Sequence, residues 1–135
     1  MISETIKMFV ESFDAAFVAS ADGTGVPHLA VGRDPKIPDP DHLAFEAWFC
    51  RTTLKNVTEN RRVAVAVVMP DSGAGYQFIG TVEEVATTAL LDGHAEEDIE
   101  PPGMPQVQSR LLVRVDLVME FSEGAHTDRP FAATP

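Results

Sequence analysis

Residues 44–69, AFEAWFCRTTLKNVTENRRVAVAVVM, decide the fold of this chain. An aromatic-rich strand, HLAFEAWF over 42–49, runs into the cluster Arg51-Thr52-Thr53-Leu54-Lys55, and a short helix is expected from about Thr53 to Asn60. That helix sets Leu54 and Val57 on one face, and Asn60 tolerates the left-handed backbone common just past a helix end. RVAVAVVM then follows, apolar on both faces as a strand covered on each side is. The first N–H groups of a helix have no intrahelical partner and carry partial positive charge. A start flanked by Thr hydroxyls, Arg51 and Lys55 therefore suits a small anion such as a phosphate. The strand before it offers flat rings in Trp48 and Phe49, which serve equally well as core or as a stacking surface.

Upstream, Ile2, Ile6, Phe9, Val10 and Phe13 recur at helical spacing behind Ser3, a residue suited to capping, which predicts an amphipathic helix over 3–13. AAFVASA at 15–21 and VPHLAVGR at 26–33 flank Asp22-Gly23-Thr24-Gly25, the composition of a hairpin turn. DPKIPDPD at 34–41 holds Pro35, Pro38 and Pro40 and reads as a loop. Downstream, Pro70–Gly75 turns the chain, and YQFIGTVEEVAT at 76–87 reads as a long strand in which Gly80 marks a bend or bulge. Residues 88–105 have room for one or two helical turns before Pro101, Pro102 and Pro105 end any regular element. In the last strand Leu111, Val113, Val115, Leu117, Met119 and Phe121 alternate with Arg110, Arg114, Asp116 and Glu120, which predicts one core face along its whole length. Six strands in mostly antiparallel order with one helix between the third and fourth predict a mainly β protein, a small closed barrel with flanking helices.

Composition narrows the function. The 135 residues are 44% hydrophobic, enough for one core, and carry 10 Lys and Arg against 21 Asp and Glu, a net charge of −11. Such a surface argues against duplex DNA or an anionic membrane as partner. Against this background Arg51, Lys55, Arg61 and Arg62 face Glu59 alone in residues 50–62, a positive island fit for a small anion. No apolar run approaches the ~20 residues of a membrane span, and the start lacks a basic-then-hydrophobic leader, so a cytoplasmic protein is expected. The single Cys50 excludes an intrachain disulfide and a CxxC pair. His28, His42, His94 and His126 show no paired ligand spacing, so no metal is expected, and His28 reads as a structural residue of the second strand. Ser72-Gly73-Ala74-Gly75 precedes a strand and is a turn, not a phosphate loop; no GxSxG elbow is present.

Three segments in order resemble the FMN-binding split-barrel family related to pyridoxamine 5′-phosphate oxidase, in its small single-domain form. They are DGTGVPHLAVGRD at 22–34, FEAWFCRTTLKNVTENRRVAV at 45–65 and RLLVRVDLVMEF at 110–121. The resemblance implies a six-stranded antiparallel split β-barrel over residues 1–121 with a C-terminal tail at 122–135. It also implies a homodimer with FMN at the subunit interface. Carried over, it puts Arg51, Thr52, Thr53 and Lys55 around the phosphate with Asn56 supporting the helix start. Ala30, Val31, Gly32 and Arg33 would run along the ring, and Trp48, Phe49 and Cys50 would line the neighbouring strand. The expected activity is that of a flavoprotein oxidoreductase moving electrons between a reductant such as NAD(P)H and a small-molecule or protein acceptor. The alternative is a non-catalytic module holding haem or a deazaflavin on the same fold. The additional basic and aromatic residues that hold vitamin phosphate in the true oxidases do not map onto this chain.

Overall fold

The computed structural model describes residues 2–91 and 106–125, together with Asp128 and Pro130. Helix α1, Glu4–Glu11, begins where the sequence places its cap: the Ile6 N–H donates to Ser3 Oγ at 3.2 Å. It stops two residues before Phe13, whose N–H bonds Val10 O in a tightened last turn. Strands β1, Ala15–Ala21, and β2, Pro27–Arg33, form the expected hairpin in unbroken register from Ala15↔Arg33 to Ala21↔Pro27. Its turn closes on Asp22, whose Oδ1 accepts from the N–H groups of Thr24 and Val26, each at 2.9 Å. Gly25 there takes φ +92°, which a side chain would resist.

The segment assigned to a loop holds a seventh strand, β3, Lys36–Asp39, paired to β4, His42–Trp48, through Lys36↔Ala44 and Asp39↔His42. As the edge strand of the sheet it needs backbone donors on one side only, so Pro38 is tolerated within it. Helix α2 spans Arg51–Glu59 and so starts earlier than the sequence suggests, with Cys50 as its N-cap. Asn60 is extended at φ −144° and ψ 108°, not left-handed. The chain passes straight from it into β5, Arg62–Val68, and the Asn60 side chain accepts the Arg62 N–H at 3.1 Å. β6, Gly75–Leu91, and β7, Gln106–Phe121, form one long hairpin. Residues 88–91, where helical turns were expected, are therefore strand; the rest of that segment, 92–105, lies outside the described residues.

All seven strands join one antiparallel sheet in the order β2-β1-β5-β6-β7-β4-β3. The sheet curls until β2 packs on β4 without a ladder between them. A Cβ on Gly32 would collide with the Trp48 ring and sit 2.7 Å from Phe45 Cε1. That seam is the split in the barrel. Inside lie Ala16 and Val18 of β1, Val63, Val65 and Val67 of β5, Phe78 and Val82 of β6, and Leu111 and Val113 of β7, with Ile6 and Val10 of α1 joining the same core. The three valines of β5 thus share the interior. Its outward apolar residues are Ala64, Ala66 and Val68, which are half-buried.

The core face of β7 does not run its whole length. Ile79 pairs with Leu117 and Gly80 with Val115, so Asp116 is an extra residue, a bulge that reverses the alternation. Before it Leu111, Val113 and Val115 are buried; beyond it Val118 is buried while Phe121 is 38% exposed. Gly80 is required at this bulge because a Cβ there would overlap Val113 and lie 2.6 Å from the Arg114 carbonyl. Pro130 of the tail bridges Met119 of β7. Among the described residues no helix is long and apolar enough to cross a membrane.

Candidate functional site

β4 delivers the chain to α2 through Trp48, which is 1% exposed, stacks edge-on against Phe45 at 5.1 Å and donates from Nε1 to Cys50 O at 3.0 Å. The same Cys50 carbonyl accepts the Leu54 N–H at 3.4 Å, the first bond of α2. Cys50 makes no side-chain cap, and no acidic residue stands in the first turn. The N–H groups of Arg51, Thr52 and Thr53 thus open a helix whose first turn holds no acidic residue, with the Arg51 and Lys55 side chains one turn apart. Thr52 and Lys55 are exposed and Arg51 is half-buried.

Thr53 is wholly buried on the face of α2 that meets the barrel, and its Oγ1 has no hydrogen-bond partner among the described residues. Native interiors leave few such groups unpaired, so an orphaned hydroxyl in the first turn of a helix fits a partner that is not protein, such as a phosphate oxygen. One turn on, Asn56 is also buried and donates from Nδ2 to Ser20 Oγ of β1 at 3.1 Å. It seats the helix on the sheet and does not cap its start. A second bond holds the other end: the Gly23 N–H in the β1–β2 turn donates to Glu59 Oε1 at 2.7 Å. The turn itself is stiffened by Asp22, whose carboxyl is held below the usual range chiefly by the Val26 N–H and then by Thr24.

The residues expected along a ring divide between two faces of β2, because side chains alternate on a strand. Ala30 and Gly32 point toward the seam with β4, whereas Val31 and Arg33 are exposed on the opposite face. One planar ligand could meet all four only by lying along the backbone or across an edge. Phe49 is 39% exposed and Cys50 half-buried, so the edge of this corner is open while Trp48 supports it from within. His28, in register with Ser20, is half-buried with its Nδ1 lacking a partner among the described residues.

The positive island of the sequence separates in space. Arg61 donates to the Val82 carbonyl at 2.9 Å, and Arg62 pairs with Asp116 of β7 at 3.2 Å, whereas Arg51 and Lys55 stand in α2 itself, at its first and fifth residues. Sequence reading missed Ser20 and Glu59, the residues that bolt α2 to the hairpin. The signal for Ser20 was available, since it is a polar residue at an inward position of AAFVASA. On the outer sheet face, Phe17, Ala19, Leu29, Ala64, Ala66, Gln77 and Phe121 line an open, largely apolar groove. Among the described residues no group of His, Cys, Asp and Glu could hold a metal ion.

A curled antiparallel sheet with one helix crossing from β4 to β5 is the split-barrel fold, and the profile of the pyridoxamine 5′-phosphate oxidase family matches residues 2–118. The chain belongs to that family. Among solved structures it is similar to HupZ of Group A Streptococcus, with a TM-score of 0.68 at 22% identity over 94% of this chain and 99% of that one. It is similar to an F420 reductase, with a TM-score of 0.60 at 18% identity over 87% and 98% of the two chains. An FMN-binding protein from Syntrophomonas wolfei gives 0.62 at 11% identity over 92% and 87%. At these identities the likeness establishes the fold. No curated protein matches the sequence.

Proposed function

We propose that the chain is an FMN-binding flavoprotein, an oxidoreductase passing electrons between a reductant such as NAD(P)H and a small-molecule or protein acceptor. The observation that carries this reading is the start of α2. An uncapped helix end free of acidic residues, the orphaned Thr53 hydroxyl, and Arg51 and Lys55 together make a site for a phosphate monoester. In this reading Arg51, Thr52, Thr53 and Lys55 hold the phosphate. The backbone of Ala30, Val31, Gly32 and Arg33, with the Phe49 and Cys50 edge, orients the ring. Bound flavin supplies the two-electron chemistry in its own ring, so the protein needs only to bind, orient and tune it. Arg33, the charged residue of that stretch, would stabilise negative charge on the reduced ring.

The functional unit in this reading is a homodimer with the cofactor at the subunit interface. Phe17, Leu29 and Val31 are 44%, 65% and 58% exposed on adjoining outward strand faces, an apolar surface that a second copy would cover. A cytoplasmic location, with its NAD(P)H supply, accords with it. The likeness to an F420 reductase favours one alternative, a deazaflavin in the same corner.

Titration with FMN and with riboflavin tests the site directly. The wild type should prefer FMN, and Arg51→Ala with Thr53→Ala should remove most of that preference, since each charge-assisted bond to a phosphate is worth about 1.5–3 kcal/mol. Equal loss of both ligands would sink the phosphate assignment. The absorbance spectrum of the purified protein separates flavin from deazaflavin and haem. A stable monomer by sedimentation with FMN bound would refute the dimer.

A further inference from the structure

A charged chain crosses five strands of the sheet. Its centre is His42, the first residue of β4, whose two ring nitrogens both meet carboxylates: Nδ1 lies 2.9 Å from Asp39 Oδ1 on β3, and Nε2 lies 2.8 Å from Glu83 Oε1 on β6. Glu83 Oε2 also accepts from Arg114 of β7 at 3.3 Å, and Arg114 Nε donates to Asp116 Oδ1 at 3.1 Å. Asp116 Oδ2 then accepts from Thr81 at 2.7 Å and from Arg62 of β5 at 3.2 Å. Two acidic members stand at bulges. Asp116 is the extra residue of β7, and Glu83 is the extra residue of β6, between Val82↔Val113 and Glu84↔Leu112. Each irregularity in the ladder thus turns a carboxylate into this network.

We propose that His42 is a one-proton clasp that locks the β3 edge, and α1 with it, onto the barrel. The chemistry lies in the donor count. A carboxylate oxygen only accepts, so two such contacts require both imidazole nitrogens to donate, which only imidazolium can do. Loss of the proton leaves one N–H, and the other nitrogen then faces a carboxylate with a lone pair. One of the two contacts must open.

Among the described residues the charged groups around His42 are Asp39 of β3, Asp41 in the turn after it, Glu83 from β6, and Arg114, its register partner, with Asp116 from β7. With His42 charged, Asp39, Glu83 and Asp116 are matched by His42, Arg114 and Arg62; without that proton the network is left negative. In keeping with the geometry, the bonds to Asp39 and then Glu83 raise the imidazole above its ordinary 6.5.

The mechanical link runs from β3 to α1. The Ile37 N–H of β3 donates to Glu11 Oε2 at 2.8 Å, and the Ile2 N–H donates to the Pro40 carbonyl at 2.8 Å. Ile2, Ile6 and Ile37 are buried together in this corner. Because the folded value is raised, the clasp is fully engaged below pH 6.5 and is lost as pH rises through the folded value.

Two measurements on the full chain test this, neither needing a cofactor. The NMR titration of the His42 ring should have its midpoint above 6.5, moving back toward 6.5 in Glu83→Gln; a wild-type midpoint at or below 6.5 would overturn the clasp. Hydrogen-exchange protection of the Ile37 amide, corrected for intrinsic rate, should fall from pH 5.5 to pH 8.5. The fall should approach tenfold for each unit by which the midpoint exceeds 6.5. In His42→Gln the protection should be low and flat. An equal fall in wild type and variant would overturn the link to β3, and Glu83→Gln provides the same comparison if His42→Gln does not fold.

Discussion

The two sides of this barrel are held by different physics. At the β2–β4 seam, Gly32 lets two strands close on the buried rings of Phe45 and Trp48, and α2 is fixed by one buried polar bond between Asn56 and Ser20. Across β3, β4, β7, β6 and β5, the outer surface is laced by Asp39, His42, Glu83, Arg114, Asp116 and Arg62, all partly or well exposed. Packing depends steeply on volume and hardly on pH, whereas exposed ion pairs depend on proton and salt and contribute little each. Rigidity is thus concentrated where the candidate site lies, and responsiveness where β3 and α1 are tied on.

The largest effect expected from breaking this contrast is at the seam. Trp48→Ala should cost about 3–5 kcal/mol, as large-to-small changes of buried aromatics do, measured by urea unfolding. A loss below 1 kcal/mol would mean that the ring does not hold β2 to β4. Gly32→Ala should follow at about 1–3 kcal/mol through overpacking, because its new methyl meets two rings.

The buried bond gives the next test. Asn56→Ala and Ser20→Ala should each cost about 1–3 kcal/mol, and the double variant should cost less than their sum, because unpairing one polar partner is worse than removing both. Strict additivity would show that the two side chains do not act together in seating α2. Among the exposed ion pairs, Arg110→Met should cost only about 0.2–1 kcal/mol although Arg110 bridges Glu46 of β4 and Glu84 of β6, since all three are partly exposed. Added salt should erase that difference while leaving the cost of Trp48→Ala nearly unchanged. The smallest expected change is chemical: with flavin bound, Arg33→Met should make the ring slightly harder to reduce, read as a lower midpoint potential.

Much of the architecture is present in local pattern. Ser3 capping, the Asp22–Gly25 turn and the bulge at Gly80 all follow from residue type and spacing, because each depends on neighbours within a few positions. The strand that leads into Arg51–Lys55 likewise marks the candidate anion site, since a helix start with hydroxyls and cations has a local cause. What sequence could not supply depends on partners far along the chain. β3 exists because β4 pairs with it, and its Pro38 is tolerable only at a sheet edge. The reversal of β7 after Asp116 follows from its register with β6. Arg61 and Arg62 leave the positive island for Val82 and Asp116, and Asn56 turns to Ser20, thirty-six residues away. His42, one histidine among four without ligand spacing, acquires two carboxylate partners only when β3, β4 and β6 converge. The sequence by itself determined α1, the β1–β2 hairpin and the order of strand, helix and strand around Arg51–Lys55, because propensity and periodicity act locally; only the tertiary structure decided β3, the seam, the phase of β7 and the pairing of charges, because those are set by register between distant strands.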